Sequence, residues 1–206
     1  MSDQGRVVLL IPPGLPGTTP NREGAAGLGA VKQGEGGFRY PPQTVATVAA
    51  ALRREGWRVW ILDAVALGYD VARSLAEVEA LSPDVLGVFV SWATREADAR
   101  FLAVLRDRRL LCRTVAFGIS VAWMEEALRE VDWVLRGEPE LAFGSLAERL
   151  LSGEELPRTV SPGELGIEGY GPEGLLEDLD ALPLPAWDLV PLERYPYLSI
   201  LSSRGC

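Results

Sequence analysis

The chain contains no histidine, and that removes a large block of chemistry. Ser-His-Asp and Cys-His nucleophilic catalysis, histidine-based zinc sites and imidazole axial ligands all need a ring this sequence lacks. Its two cysteines, Cys112 and Cys206, are too few for a disulfide framework. Cys112 sits beside apolar residues and reads as a small buried hydrophobe in or near a strand. Cys206 closes the segment "YPYLSILSSRGC", where an apolar, strand-like run stops at a thiol. Glu138 and Glu140 have the residue types for general acid–base work. They stand before a helical pattern, however, and are expected to charge that helix's N-terminus, where the dipole favours acids.

Phosphate-binding patterns fail one by one. A dinucleotide fingerprint needs G-x-G-x-x-G directly after a strand and opening a helix. The run "GAAGLG" (Gly24, Gly27, Gly29) has the wrong order and lies well past the first strand. No G-x-x-x-x-G-K-[ST] occurs, since Lys32 is the only lysine. A phospho-receiver domain would need paired acids after the first strand and an aspartate after the third. Here those places hold Pro12-Pro13-Gly14 and Ser91-Trp92.

The elements that carry these residues follow from periodicity. "RVVLLIPPG" is an uninterrupted apolar run stopped by prolines, the pattern of a parallel strand covered on both faces. Four more runs are centred on Val59–Leu62, Val85–Val90, Thr114–Phe117 and Trp133–Leu135. Amphipathic segments alternate with them. Val45, Val48, Ala49 and Leu52 share one helical face, as do Val71, Leu75 and Val78, and Ala97, Phe101 and Leu105. Thr94 or Ser91 is available to cap the third helix. Trp123, Ala127 and Leu128 predict a short fourth helix, and Leu141 to Leu150 a fifth ending at Gly153. The expected fold is α/β: a Rossmann- or flavodoxin-like, doubly wound, five-stranded parallel sheet over residues 5–152. Residues 13–42 hold eight glycines and no periodicity, an unusually long loop of the kind that tends to be functional or disordered. Residues 153–196, rich in Pro, Gly and acid, read as a linker, with Trp187, Pro183 and Pro185 docking it.

Open parallel sheets bind ligands at the carboxyl ends of their strands. Those ends carry Pro13-Gly14, Asp63, Ser91-Trp92, Gly118-Ile119-Ser120 and Gly137-Glu138. This rim of small residues, hydroxyls and one large aromatic suits a large, flat, mostly neutral ligand. A net charge of −9 argues against a nucleic-acid partner, which would need a basic face. No run approaches a membrane span and the start lacks a signal-peptide layout, so a cytoplasmic protein is expected.

The domain closing on "RGEPE", the segments "LDALPLPAWDL" and "LERYPYLSI", and the ending "SSRGC" together resemble the cobalamin-binding-domain radical SAM proteins. These are B12-dependent radical S-adenosylmethionine enzymes, and the likeness covers essentially the whole chain. It implies cobalamin contacts from Pro13, Gly14, Ser91, Trp92, Gly118, Ser120, Gly137 and Glu138. It also implies that residues 197–206 begin a radical SAM partial barrel. Cys206 would then be the first thiolate of a C-x-x-x-C-x-x-C loop that holds a [4Fe–4S] cluster, with the chain as the front of a longer enzyme. One thiolate alone cannot hold a cubane. The parent would cleave S-adenosylmethionine to a 5′-deoxyadenosyl radical, for methyl transfer, cyclisation or rearrangement of a substrate the sequence leaves open. With no histidine, cobalamin would have no imidazole ligand from this chain. The rival expectation is a stand-alone module that binds cobalamin or another small ligand without catalysis.

Overall fold

The computed structural model describes residues 4–23, 29–32, 39–118, 120–171 and 174–200. Gly24, Gly27, Ile119 and Cys206 lie outside the described residues. At the centre is a sheet of six parallel strands: β1 (Arg6–Ile11), β4 (Arg58–Asp63), β5 (Val85–Phe89), β6 (Arg113–Phe117), β7 (Trp133–Leu135) and β8 (Thr159–Val160). Their spatial order is β4-β1-β5-β6-β7-β8, and every neighbouring pair is parallel. The α/β expectation holds, with one strand more than the periodicity predicted. The sixth is two residues long and comes from the segment read as linker.

Strands apolar on both faces demand cover on both. Val7, Leu9 and Ile11 of β1 enter one core with Val45, Val48 and Leu52 of α1 (Gln43–Glu55) and Phe143, Leu146 and Leu150 of α5 (Phe143–Ser152). The alternate residues Val8 and Leu10 enter a second core. It contains Leu75 and Val78 of α3 (Val71–Leu81) and Phe101, Leu102 and Leu105 of α4 (Arg95–Asp107). Each such large side chain contributes about 1.5–3 kcal/mol by leaving water. Gly87 in β5 makes room for Phe143: a Cβ there would stand 2.7 Å from the ring's Cζ. That ring in turn meets Phe117 edge-on at 5.3 Å.

Two expectations give way to tighter geometry. The predicted fourth helix is a 3₁₀ turn at Val121–Trp123 followed by irregular turns to Glu130. Met124, Leu128 and Val131 still reach the second core from these turns, so apolar spacing survives without a helix. Within residues 13–42, β2 (Thr18–Asn21) and β3 (Gly29–Lys32) pair as an antiparallel hairpin, a possibility that Pro20 and the glycines disguise. The segment after α5 wraps the domain. Ala186 and Leu189 pack on the first core, the Ala186 amide donates to the Ala46 carbonyl at 2.9 Å, and Trp187 is half-buried. Asp188 accepts two hydrogen bonds from Arg53 at the surface. No helix among the described residues is long and apolar enough to cross a membrane.

Candidate functional site

From β1 the chain passes outward to β4, then crosses back to β5 on the other flank of β1. The switch point of this sheet therefore lies between the carboxyl ends of β1 and β5, where open α/β sheets hold their ligands. The eight residues expected there fall into three groups along that rim.

The central group is Ser91, Trp92, Gly118 and Ser120, at the ends of β5 and β6. The Trp92 amide donates to Ser120 Oγ at 2.9 Å, and the Val90 amide to the Phe117 carbonyl at 3.0 Å. Gly118 has φ +143, and a Cβ on it would lie 2.2 Å from the Val90 carbonyl oxygen. Its glycine is thus required by the neighbouring strand's own backbone. Trp92 is 43% exposed, and the Arg95 guanidinium lies 4.4 Å from its ring centroid. Trp123, which the sequence reading placed only as a helix residue, is 71% exposed just past the end of β6. Two tryptophans thus stand partly open to solvent after adjacent strands.

Pro13 and Gly14 line a cleft of about 490 Å³ with Leu15 to Pro20, Arg39, Tyr69 and Asp70. That volume lies within the about 300–1,000 Å³ range of small-ligand pockets. Gly137 and Glu138 are turned to another task. The Glu138 amide donates to the Gly174 carbonyl at 2.8 Å, and Glu138 Oε2 accepts the Leu176 amide at 2.7 Å. Gly137 packs so closely on Gly174 that a Cβ would stand 2.5 Å from its carbonyl oxygen. Here the end of β7 grips the C-terminal wrap, and α5 begins without a side-chain cap or an acid in its first turn. The expected helix-charging role of Glu138 and Glu140 is therefore not what the geometry gives.

Sequence reasoning missed the polar network between these groups. Asp98, in the first turn of α4, is completely buried. Its Oδ1 pairs with Arg22 Nη2 at 2.5 Å and Nε at 3.2 Å; its Oδ2 accepts the Ser91 amide at 3.2 Å and Thr94 Oγ1 at 2.7 Å. Arg22 Nη1 donates to the Pro12 carbonyl at 2.8 Å. Thr94 is the N-cap residue of α4 but makes no capping bond to a backbone amide; its hydroxyl serves Asp98 instead. The one readable signal was an acid in the first turn of a helix. At the outer flank, Asp63 is buried at the end of β4, where it caps the one-turn helix α2 (Ala64–Leu67) by accepting the Ala66 amide at 3.0 Å and also accepts the Tyr195 hydroxyl. Burial pushes the Asp63 carboxyl above the usual range, opposed by the Tyr195 hydrogen bond, and pushes the Tyr195 hydroxyl up as well.

Among the described residues no group of His, Cys, Asp or Glu is arranged to hold a metal ion. Cys112 lies before β6, at the amino edge of the sheet away from the rim. Burial first, and Asp132 next, push its thiol up to about 11. A cubane needs several thiolates, so the described residues do not fit an iron–sulfur cluster.

No protein-family model matches the chain. In sequence it is 28% identical over 182 residues to an uncharacterized methyltransferase of Pyrococcus horikoshii, covering 82% of this chain and 39% of that protein. Two solved structures of the radical S-adenosylmethionine methyltransferase TsrM from Kitasatospora setae share its fold. One, with cobalamin and a [4Fe-4S] cluster bound, matches at TM-score 0.53 and 21% identity over 73% of this chain and 25% of that chain. The other, with tryptophan substrate and the analogue aza-SAM bound, matches at TM-score 0.53 and 20% identity, over 73% and 26%. The chain spans about two-fifths of the length of its curated relative and about a quarter of the TsrM structures. By sequence, then, the chain is similar to a methyltransferase, and in fold it is similar to one portion of TsrM.

Proposed function

We propose that this chain is the cobalamin-binding part of a B12-dependent radical SAM methyltransferase and receives the corrin on the carboxyl rim of its sheet. The observation that carries the reading is the Ser91–Trp92–Gly118–Ser120 cluster at the ends of β5 and β6, beside the switch point of a fold shared with TsrM. The rim suits a large neutral macrocycle: partly exposed indoles at Trp92 and Trp123 and a cleft beside Pro13 and Gly14, with the buried Ser91 and Ser120 hydroxyls shaping the turns beneath them. A corrin with its side chains exceeds that cleft, so it would lie across the rim with only part of it inside. Bound cobalamin would supply a carrier for the methyl group. This chain's residues would hold it and cover one face, and no histidine is present to ligate the cobalt. Glu138 would act indirectly, by fixing the segment at Gly174–Leu176. The radical chemistry belongs, in this proposal, to the longer enzyme, with Cys206 as one of its three cluster thiolates.

Titrating the purified chain with hydroxocobalamin tests this. Saturable change in the corrin absorbance at one equivalent is expected, and its absence refutes the reading. Trp92→Ala should raise Kd about tenfold, or about 1.4 kcal/mol. Its melting temperature should stay within about 3 °C of the parent, because the indole is partly exposed already.

A further inference from the structure

The switch point is bridged by a buried ion pair. Side-chain exposure is 1% at Arg22 and 0% at Asp98, and their partners are 76 residues apart in sequence. Buried pairs of this kind are weak stabilisers, because desolvating both charges offsets their attraction; apolar residues of similar volume often do as well. What the pair supplies here is geometry. One carboxylate joins the hairpin, through Arg22, to the turn after β5, through Ser91 and Thr94. The same guanidinium reaches the end of β1 at Pro12, and Trp92 continues the chain of bonds to β6 through Ser120. The ends of three adjacent strands and the hairpin thus form one connected polar unit, with β3 lying against the turn at Trp92–Thr94.

Resting on the cobalamin reading above, we infer that Arg22 and Asp98 are positioning residues. They fix the hairpin across the switch point and hold the Ser91–Trp92 turn in the form that receives the corrin. Neither need touch the ligand. A merely stabilising pair would be replaceable by apolar residues with no consequence at the rim, whereas a positioning pair would not.

The test is the double variant Arg22→Met with Asp98→Leu, which leaves no unpaired buried charge. Its readouts are amide exchange in the free protein and hydroxocobalamin titration. The expected result is exchange at least about tenfold faster at residues 18–21 and 91–94, with residues 7–10 of the central strand unchanged. Kd should rise at least about tenfold alongside. Unchanged exchange at 18–21 and 91–94 overturns the proposal whether or not cobalamin binds. Faster exchange with unaltered Kd overturns it too, leaving a structural tether only. A parent chain that gives no absorbance change removes the cobalamin reading, and the exchange result still decides whether the pair fixes the rim. If the double variant fails to fold, Arg22→Lys takes its place. Lysine keeps the charge but loses the fork that joins Asp98 to Pro12. The same acceleration is expected, and its absence overturns the proposal.

Discussion

Replacing Tyr195 with phenylalanine isolates the contact that returns the C-terminal wrap to the rim. Asp63 has no exposed surface. One of its oxygens accepts the Ala66 amide and the other the Tyr195 hydroxyl. The substitution keeps the ring and deletes one donor to a desolvated carboxylate, which costs about 1–3 kcal/mol, toward the upper end for a charged acceptor. For a chain of this length that lowers the melting temperature by about 2–10 °C. The penalty has a pH signature. Burial raises the Asp63 pKa while the Tyr195 bond lowers it, so folding favours the protonated acid. The stability this gives is complete below the ordinary aspartate range and is lost as pH climbs through the folded-state value. Without the Tyr195 donor the folded-state value rises further, and the variant loses more over the same climb. Urea melts of both proteins at about pH 4 and about pH 8 should therefore show a small gap in acid and the full gap at the higher pH. A gap that is equal at both, or larger in acid, refutes the argument that a charged Asp63 is what Tyr195 serves.

Two further outcomes are expected. Gly118→Ala places a Cβ 2.2 Å from the Val90 carbonyl on a backbone at φ +143, so a loss on the order of 3 kcal/mol is expected in thermal melts; a shift under about 2 °C contradicts it. In a Cys206→Ser background, Cys112, whose thiol is pushed up to about 11, should react slowly with a disulfide reagent near neutrality. Its rate should climb about tenfold per pH unit, and a rate matching free cysteine at about pH 8 would count against the burial.

The tests above turn on contacts between distant parts of the chain, and these were the contacts the sequence hid. Periodicity in Val45–Leu52 and Phe101–Leu105 announced helices because an apolar stripe repeats every turn. The missing helix near Trp123 shows the limit of that logic: Met124, Leu128 and Val131 bury equally well from irregular turns. A rule about strand ends picked out Ser91, Trp92, Gly118 and Ser120, and the structure places them after β5 and β6. It said nothing of what each would touch. Gly137 and Glu138 share the rim, yet the wrap claims them.

By itself, then, the amino-acid sequence determined the alternation of strands and helices and which residues stand at the carboxyl ends of the strands. It also left these 206 residues without an imidazole; such properties depend on residue type and local spacing. Only the tertiary structure decided that Arg22 meets Asp98, that Tyr195 meets Asp63, and that Thr159–Val160 completes the sheet. A two-residue strand has no period to read. A pair separated by 76 or 132 residues leaves no local pattern either, since each partner alone looks like any polar residue in a loop or helix turn. Such pairs form because a buried charge or hydroxyl must be hydrogen-bonded, and the distant partner comes within reach only once the sheet and its two helical layers have closed.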